Sequence, residues 1–197
     1  MITKHNRSLP PPAVLLTQRL RLDPMSIAHS DQLFNLFQDP ELNRWTFREV
    51  PNSIESFREG IQFLEDRLSR DGLEFWPNWV FKIKTNDDIA GKVEISLDPK
   101  SGTANLAYYT FSPFQRNGYA KEACRAVIDH IFSVWNCRLV YMEMNTENTA
   151  SISLAESLGA VRQKLVPNAQ EYKGKWHDEY RYELCSSPNS PDDFTKF

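Results

Sequence analysis

The chain has 197 residues, 41% of them hydrophobic and 12% aromatic, which excludes wholesale disorder and suits one domain with a sizeable core. Its net charge of −3 and isoelectric point near 5.8 argue against a nucleic-acid partner, which selects clustered positive charge. No apolar run is long enough to span a bilayer and no secretory apolar region opens the chain. Cys124, Cys137 and Cys185 make neither a metal spacing nor an even disulfide set, so a reducing, cytoplasmic setting with no metal is expected.

In chain order, Pro10, Pro11 and Pro12 keep the start extended and separate a tail, 1–12, from a domain over 13–184. Residues 16–22 alternate like a strand. Helical stretches follow at 28–38, where Leu33, Leu36 and Phe37 share a face, and at 53–71. Three strands come next, at 79–83, 89–97 and 103–111, separated by turns at 86–88 and 98–102.

A long helix is predicted over 118–135 from the stripe Ala120, Ala123, Cys124, Val127, Ile128, Ile131, Val134 and Trp135. A buried strand spans 138–144. A short helix covers 149–158, with Asn148 as N-cap and Gly159 at its C′ position. A polar loop leads to a last strand at 176–184, and 185–197 reads as a second tail. This order predicts a single mixed α/β domain whose sheet is mostly antiparallel, with one parallel crossover in the middle.

The segment Gln115-Arg116-Asn117-Gly118-Tyr119-Ala120 joins a strand to the long helix. The first turn of a helix presents free N–H groups and the positive end of the dipole, so it suits phosphate oxygens. An ordinary strand–helix turn fits the same residues. A nucleotide P-loop does not, since no Gly-Lys-Ser/Thr follows.

The string ANLAYYTFSPFQRNGYAKEA (104–123) resembles the strand–loop–helix of GNAT acetyltransferases, whose Gln/Arg-x-x-Gly-x-Gly/Ala loop cradles the diphosphate of coenzyme A. Downstream, Asn148-x-x-Ser151 and LAESLGA (154–160) resemble the family's next helix, and TQRLRLDPM (17–25) its opening. The resemblance implies a sheet in which the strands over 103–111 and 138–144 splay apart around the pantetheine arm of acetyl-CoA. Thr110, Phe111 and Ser112 would bond that arm through backbone groups, residues 115–120 would hold the diphosphate, and Asn148 and Ser151 would face the arm and thiol. Trp45 and Phe47 lie where the family lines its acceptor pocket.

Two positions depart from the family pattern. Asn105 stands where many members carry a basic glutamate, and Ala155 where many carry an acidic tyrosine. EYKGKWHDEYRY (171–182) resembles the Rim-type branch, which acetylates the N-terminal amines of ribosomal proteins. That branch implies Glu171 as base and Ser151 as acid. From the residues alone, Ser151 also suits a helix cap and Glu171 a solvated loop carboxylate. Cys124 reads as core and His177 as a surface or hydrogen-bonded side chain.

The expected activity is acetyl transfer from acetyl-CoA to an amine, first a peptide N-terminus and second a small molecule. A non-catalytic acetyl-CoA-binding module is the alternative. An α-amine suits a chain lacking the usual base, because its deprotonation at pH 7 costs about 1 kcal/mol against about 4.6 for lysine. The expected assembly is a monomer or homodimer, without nucleic acid or membrane.

Overall fold

A computed structural model describes residues 9–186. The parts of the two expected tails at 1–8 and 187–197 lie outside these residues. The described elements are β1 (Leu15–Leu16), β2 (Leu20–Pro24), α1 (Ser30–Leu36), α2 (Ile54–Glu65), β3 (Asn78–Ile83), β4 (Ile89–Asp98), β5 (Thr103–Thr110), α3 (Tyr119–Val134), β6 (Leu139–Asn145), α4 (Thr149–Ser157), β7 (Val161–Tyr172) and β8 (Lys175–Cys185). They form one eight-stranded sheet in the order β1-β2-β3-β4-β5-β6-β8-β7. Every neighbouring pair is antiparallel except β5–β6, which α3 connects as a parallel crossover. This is the mixed α/β domain that the element order predicts.

Two cores cover the two faces. Against one, α3 buries Ala123, Cys124, Val127, Ile128 and Ile131 on Leu20, Trp79, Phe81 and Leu106. Against the other, Leu33 of α1 and Ile61 of α2 pack with Val80, Ile89 and Phe111. Because both faces are covered, Asn78, Trp79, Val80 and Phe81 of β3 are all buried rather than alternating. Each fully buried large apolar side chain contributes about 1.5–3 kcal/mol of transfer free energy.

The feature that positions the site is the short contact between β5 and β6. Only Thr103, Ala104 and Asn105 pair with Leu139, Val140 and Tyr141. Beyond that point β5 continues to Thr110 along β4, while β6 continues to Asn145 along β8, so the two strands diverge into a wedge.

The structure corrects three element boundaries. The strand expected over 16–22 is broken after Leu16, because Thr17 bonds Leu20 through both its backbone N–H (3.0 Å) and its hydroxyl and folds a tight turn. The second helix stops at Glu65 rather than 71, since Arg67 adopts a left-handed φ of 58° and Leu68 bridges to Phe75. The polar loop expected before the last strand is mostly strand β7, and Glu171 lies on it. As an outer strand with most of its residues exposed, and with a bulge between Val166 and Gln170, β7 has no apolar alternation to reveal it.

The domain edges are packed at both ends. Leu9 packs on the main core, and the Trp79 indole donates to the Ala13 carbonyl at 2.9 Å. At the other end β8 reaches Cys185, and the Ser186 N–H donates to the Arg138 carbonyl at 3.0 Å. Among the described residues, no helix is long and apolar enough to cross a membrane, and no cluster of three metal-ligating side chains forms.

Candidate active site

A cleft of about 1040 Å³ opens at the wedge, lined among others by Tyr108, Gly118, Asn145, Ser151 and Glu179. The edge of β5 that faces it follows from strand alternation. The Phe111 N–H donates to the Ala90 carbonyl at 3.0 Å, so odd-numbered residues spend their backbone groups on β4. The backbone groups of Leu106, Tyr108 and Thr110 therefore turn toward the wedge, where β6 no longer pairs with them. Of the three residues expected to bond a pantetheine arm, Thr110 keeps its N–H on that edge, while its carbonyl accepts from the Gln115 side chain at 3.1 Å. Phe111 is spent on β4 and on the second core, and the Ser112 hydroxyl donates to Asp39.

At the start of α3, Gly118 is the N-cap with φ of 78°, and no side chain caps the helix. The first-turn N–H groups thus face outward with the positive end of the dipole. Asn117 fixes the loop before it, donating to the Phe114 and Gln115 carbonyls at 3.2 and 3.0 Å. Glu122 is the carboxylate of this first turn, and it does not oppose an anion. It is turned onto Arg19 at 2.7 Å and the Thr17 hydroxyl at 2.6 Å. Gln115, Arg116, Gly118, Tyr119 and Ala120 all line the cleft, and Asn117 supports them from behind.

On the α3–α4 face of the wedge, Asn148 caps α4 by accepting the Ser151 N–H at 3.2 Å. The Ser151 hydroxyl is thereby free of capping, and it lies 3.0 Å from the Tyr108 hydroxyl. Burial pushes the Tyr108 phenol up to about 12, with the Ser151 bond only partly opposing it, so this pair stays neutral. Ala155, one turn along α4, is fully buried and offers no acid.

The opposite face carries the carboxylates. Strand register places Asn105 beside Tyr141, Glu143 beside Arg181, and Asn145 beside Glu179. Burial works to raise the Glu94 pKa, yet Lys92 at 2.7 Å and Arg48 at 3.0 Å outweigh it and hold the carboxyl below its ordinary value. Glu143 pairs with Arg181 at 3.4 Å. Glu179 is 8% exposed and unpaired, and burial, followed by the nearby Glu143, pushes its carboxyl above the ordinary range.

Glu171, the base implied by resemblance, sits opposite Trp176, is exposed, and does not line the cleft. Its neighbours Gln170 and Tyr172 face the Glu179 side instead. Tyr172 stacks on His177 with centroids 3.9 Å apart and accepts from Asn145 at 2.6 Å. Lys173, at the hairpin tip, donates to the Asn43 and Arg44 carbonyls at 3.2 and 3.3 Å. The hairpin thereby roofs the cleft, together with the segment that carries Trp45 and Phe47, both lining residues.

Sequence reasoning missed Tyr108 and Glu179. The alternation in 179–182 held the signal for the second, because Tyr180 and Tyr182 pack toward the core and force Glu179 to the other side.

The free β5 edge, the open wedge and the uncapped start of α3 fit acetyl-CoA, a long arm ending in a diphosphate. The comparisons with known proteins agree. The acetyltransferase (GNAT) domain model matches residues 19–161. An uncharacterized N-acetyltransferase, p20, from Bacillus licheniformis is 28% identical over 171 residues, covering 86% of this chain and 94% of its own. A Salmonella typhimurium acetyltransferase that modifies the N-terminal serine of ribosomal protein L7/L12 superposes with a TM-score of 0.78 at 18% identity, over 89% of this chain and 100% of its own. Spermidine N-acetyltransferase from Vibrio cholerae, in complex with CoA and spermine, gives 0.74 at 18% identity, over 86% and 96%. With its matched domain, open wedge and uncapped helix start, the chain belongs to the GNAT family of acetyl-CoA-dependent N-acetyltransferases.

Proposed function

We propose that the protein acetylates the N-terminal α-amine of a peptide or protein, in a cytoplasmic setting. The observation that carries this reading is Asn105, an amide on the acceptor face where a strong base would serve a lysine. An α-amine is far closer to neutral at pH 7 than a lysine, costing about 1 kcal/mol to deprotonate against about 4.6, and so asks less of the protein. The Salmonella neighbour acts on such an amine. A polyamine is the second reading, favoured by the carboxylates Glu94, Glu143 and Glu179 around the cleft and by the Vibrio neighbour.

The residues divide the work. The N–H groups of 116–120 bind the diphosphate. An N–H on the free β5 edge, at Tyr108 or Thr110, donates to the thioester carbonyl as negative charge develops there. The amine nitrogen attacks the carbonyl carbon directly and the carbon–sulfur bond breaks. Ser151, held by Tyr108, donates a proton or hydrogen bond to the departing sulfur. Holding both reactants in one cleft accounts for a large share of the acceleration.

The test compares a lysine-free peptide with a free α-amine, the same peptide blocked and carrying one lysine, and spermidine. The free α-amine is expected to show the highest kcat/KM at pH 7, and a preference for spermidine overturns the peptide reading. Ser151→Ala is expected to lower kcat about 10-fold without changing acetyl-CoA affinity, since one hydrogen bond to a charged group contributes about 1.5–3 kcal/mol and water replaces part of it. Steady-state kinetics and calorimetry on one sample check both halves.

A further inference from the structure

We infer that Glu179 is the general base that takes the proton from the acceptor amine, an assignment that rests on the transferase reading above. Four carboxylates line the cleft: Glu41, Glu94, Glu143 and Glu179. Glu41 pairs with Arg44 at 4.0 Å, Glu94 with Lys92 and Arg48, and Glu143 with Arg181. Glu179 alone among these described residues has no cation, and it is the most enclosed part of the β8 face that borders the wedge. A largely buried carboxylate without a partner cation is costly, and such groups cluster at sites that move protons.

Its side of the sheet supports the role. Tyr108 and Ser151 meet on the α3–α4 face, where the first core lies. Glu179 shares the other face with Asn105, the position that lacks the usual base. An amine arriving from the Glu179 side and a sulfur leaving on the Ser151 side are thus served by different residues across one wedge. The balance is complete: the nitrogen lone pair forms the new carbon–nitrogen bond, and the carbon–sulfur pair departs on sulfur. The amine proton passes to a Glu179 oxygen, and the sulfur takes a proton through Ser151.

The raised carboxyl of Glu179 moves its affinity for protons toward working pH, which suits a base. The groups that face it are Glu143 and Arg181 on the flanking strand positions and His177 and Tyr172 at the hairpin, while Lys173 is turned onto the Asn43 and Arg44 carbonyls. Of these, Arg181 is already held by Glu143 and by Glu183 at 2.7 Å.

The experiment measures kcat/KM of Glu179→Gln, Glu179→Asp and Glu171→Gln on an acceptor that the wild-type chain acetylates, from pH 6 to 9. Glu179→Gln is near-isosteric, and acetyl-CoA affinity in the same sample reports its fold. The expected result is a loss of at least ~100-fold at pH 7 for Glu179→Gln. The loss shrinks as pH rises and the amine deprotonates unaided, and Glu179→Asp recovers part of the rate. Glu179→Gln within threefold of wild type, a pH-independent loss, or a larger loss at Glu171→Gln overturns the assignment. A wild-type chain that acetylates no amine overturns the transferase reading first, and the base with it.

Discussion

Gly118→Val is expected to weaken acetyl-CoA binding by at least ~100-fold, equivalent to about 2.7 kcal/mol. Two costs combine. Gly118 has φ of 78°, a region that a β-branched residue enters at about 1–3 kcal/mol. The larger effect falls on the ligand, because the valine methyl groups stand over the first-turn N–H groups of α3 that face the diphosphate. The protein itself leaves room, since a Cβ there meets nothing nearer than the Arg19 side chain at 3.4 Å. A folded variant is therefore expected, with the loss read in the ligand. Calorimetric titration of acetyl-CoA beside a thermal melt checks it, and unchanged affinity in a folded variant removes the diphosphate from this loop.

Gly91→Ala carries the largest expected effect on stability. A Cβ at Gly91 runs into the Phe81 ring and the Tyr109 carbonyl, both well inside contact distance. Phe81 is fully buried and bounded by the α3 core, and the Tyr109 carbonyl belongs to the β5 backbone, so neither neighbour yields cheaply. Overpacking of this kind costs about 3 kcal/mol, which in a domain of this size lowers Tm by roughly 6–12 °C. Displacement of Tyr109 also pushes on the strand that forms one wall of the wedge, so activity should fall further than the folded fraction alone accounts for. A melting temperature within 2 °C of wild type contradicts the β3–β4–β5 register.

Local signals in the chain were enough for much of this architecture. Asn148 sits at the helix start that its side chain predicts, Gly118 opens the helix expected from 118, and Gly159 follows α4 with φ of 87°. The α3 stripe and the parallel crossover follow from apolar period and element order. What escaped depends on distance in space. Tyr108 meets Ser151 across 43 positions, and neither residue's surroundings announce the other. Strand β7 lies at the sheet edge with both faces largely in solvent, so its sequence carries no period to read. Glu171 rests on the Rim-type resemblance alone, and the facing of Glu171 and Glu179 is set by the β7–β8 register rather than by either residue.

The most direct test of the central claim is a crystal structure with coenzyme A bound. The account predicts the diphosphate on the N–H groups of residues 116–120 and the pantetheine arm between β5 and β6. The sulfur should lie within hydrogen-bond reach of Ser151, on the side of the wedge away from Glu179. A coenzyme lying instead in the separate cavity of about 430 Å³ between α1 and α2, lined by Leu33, Phe57 and Lys92, contradicts it.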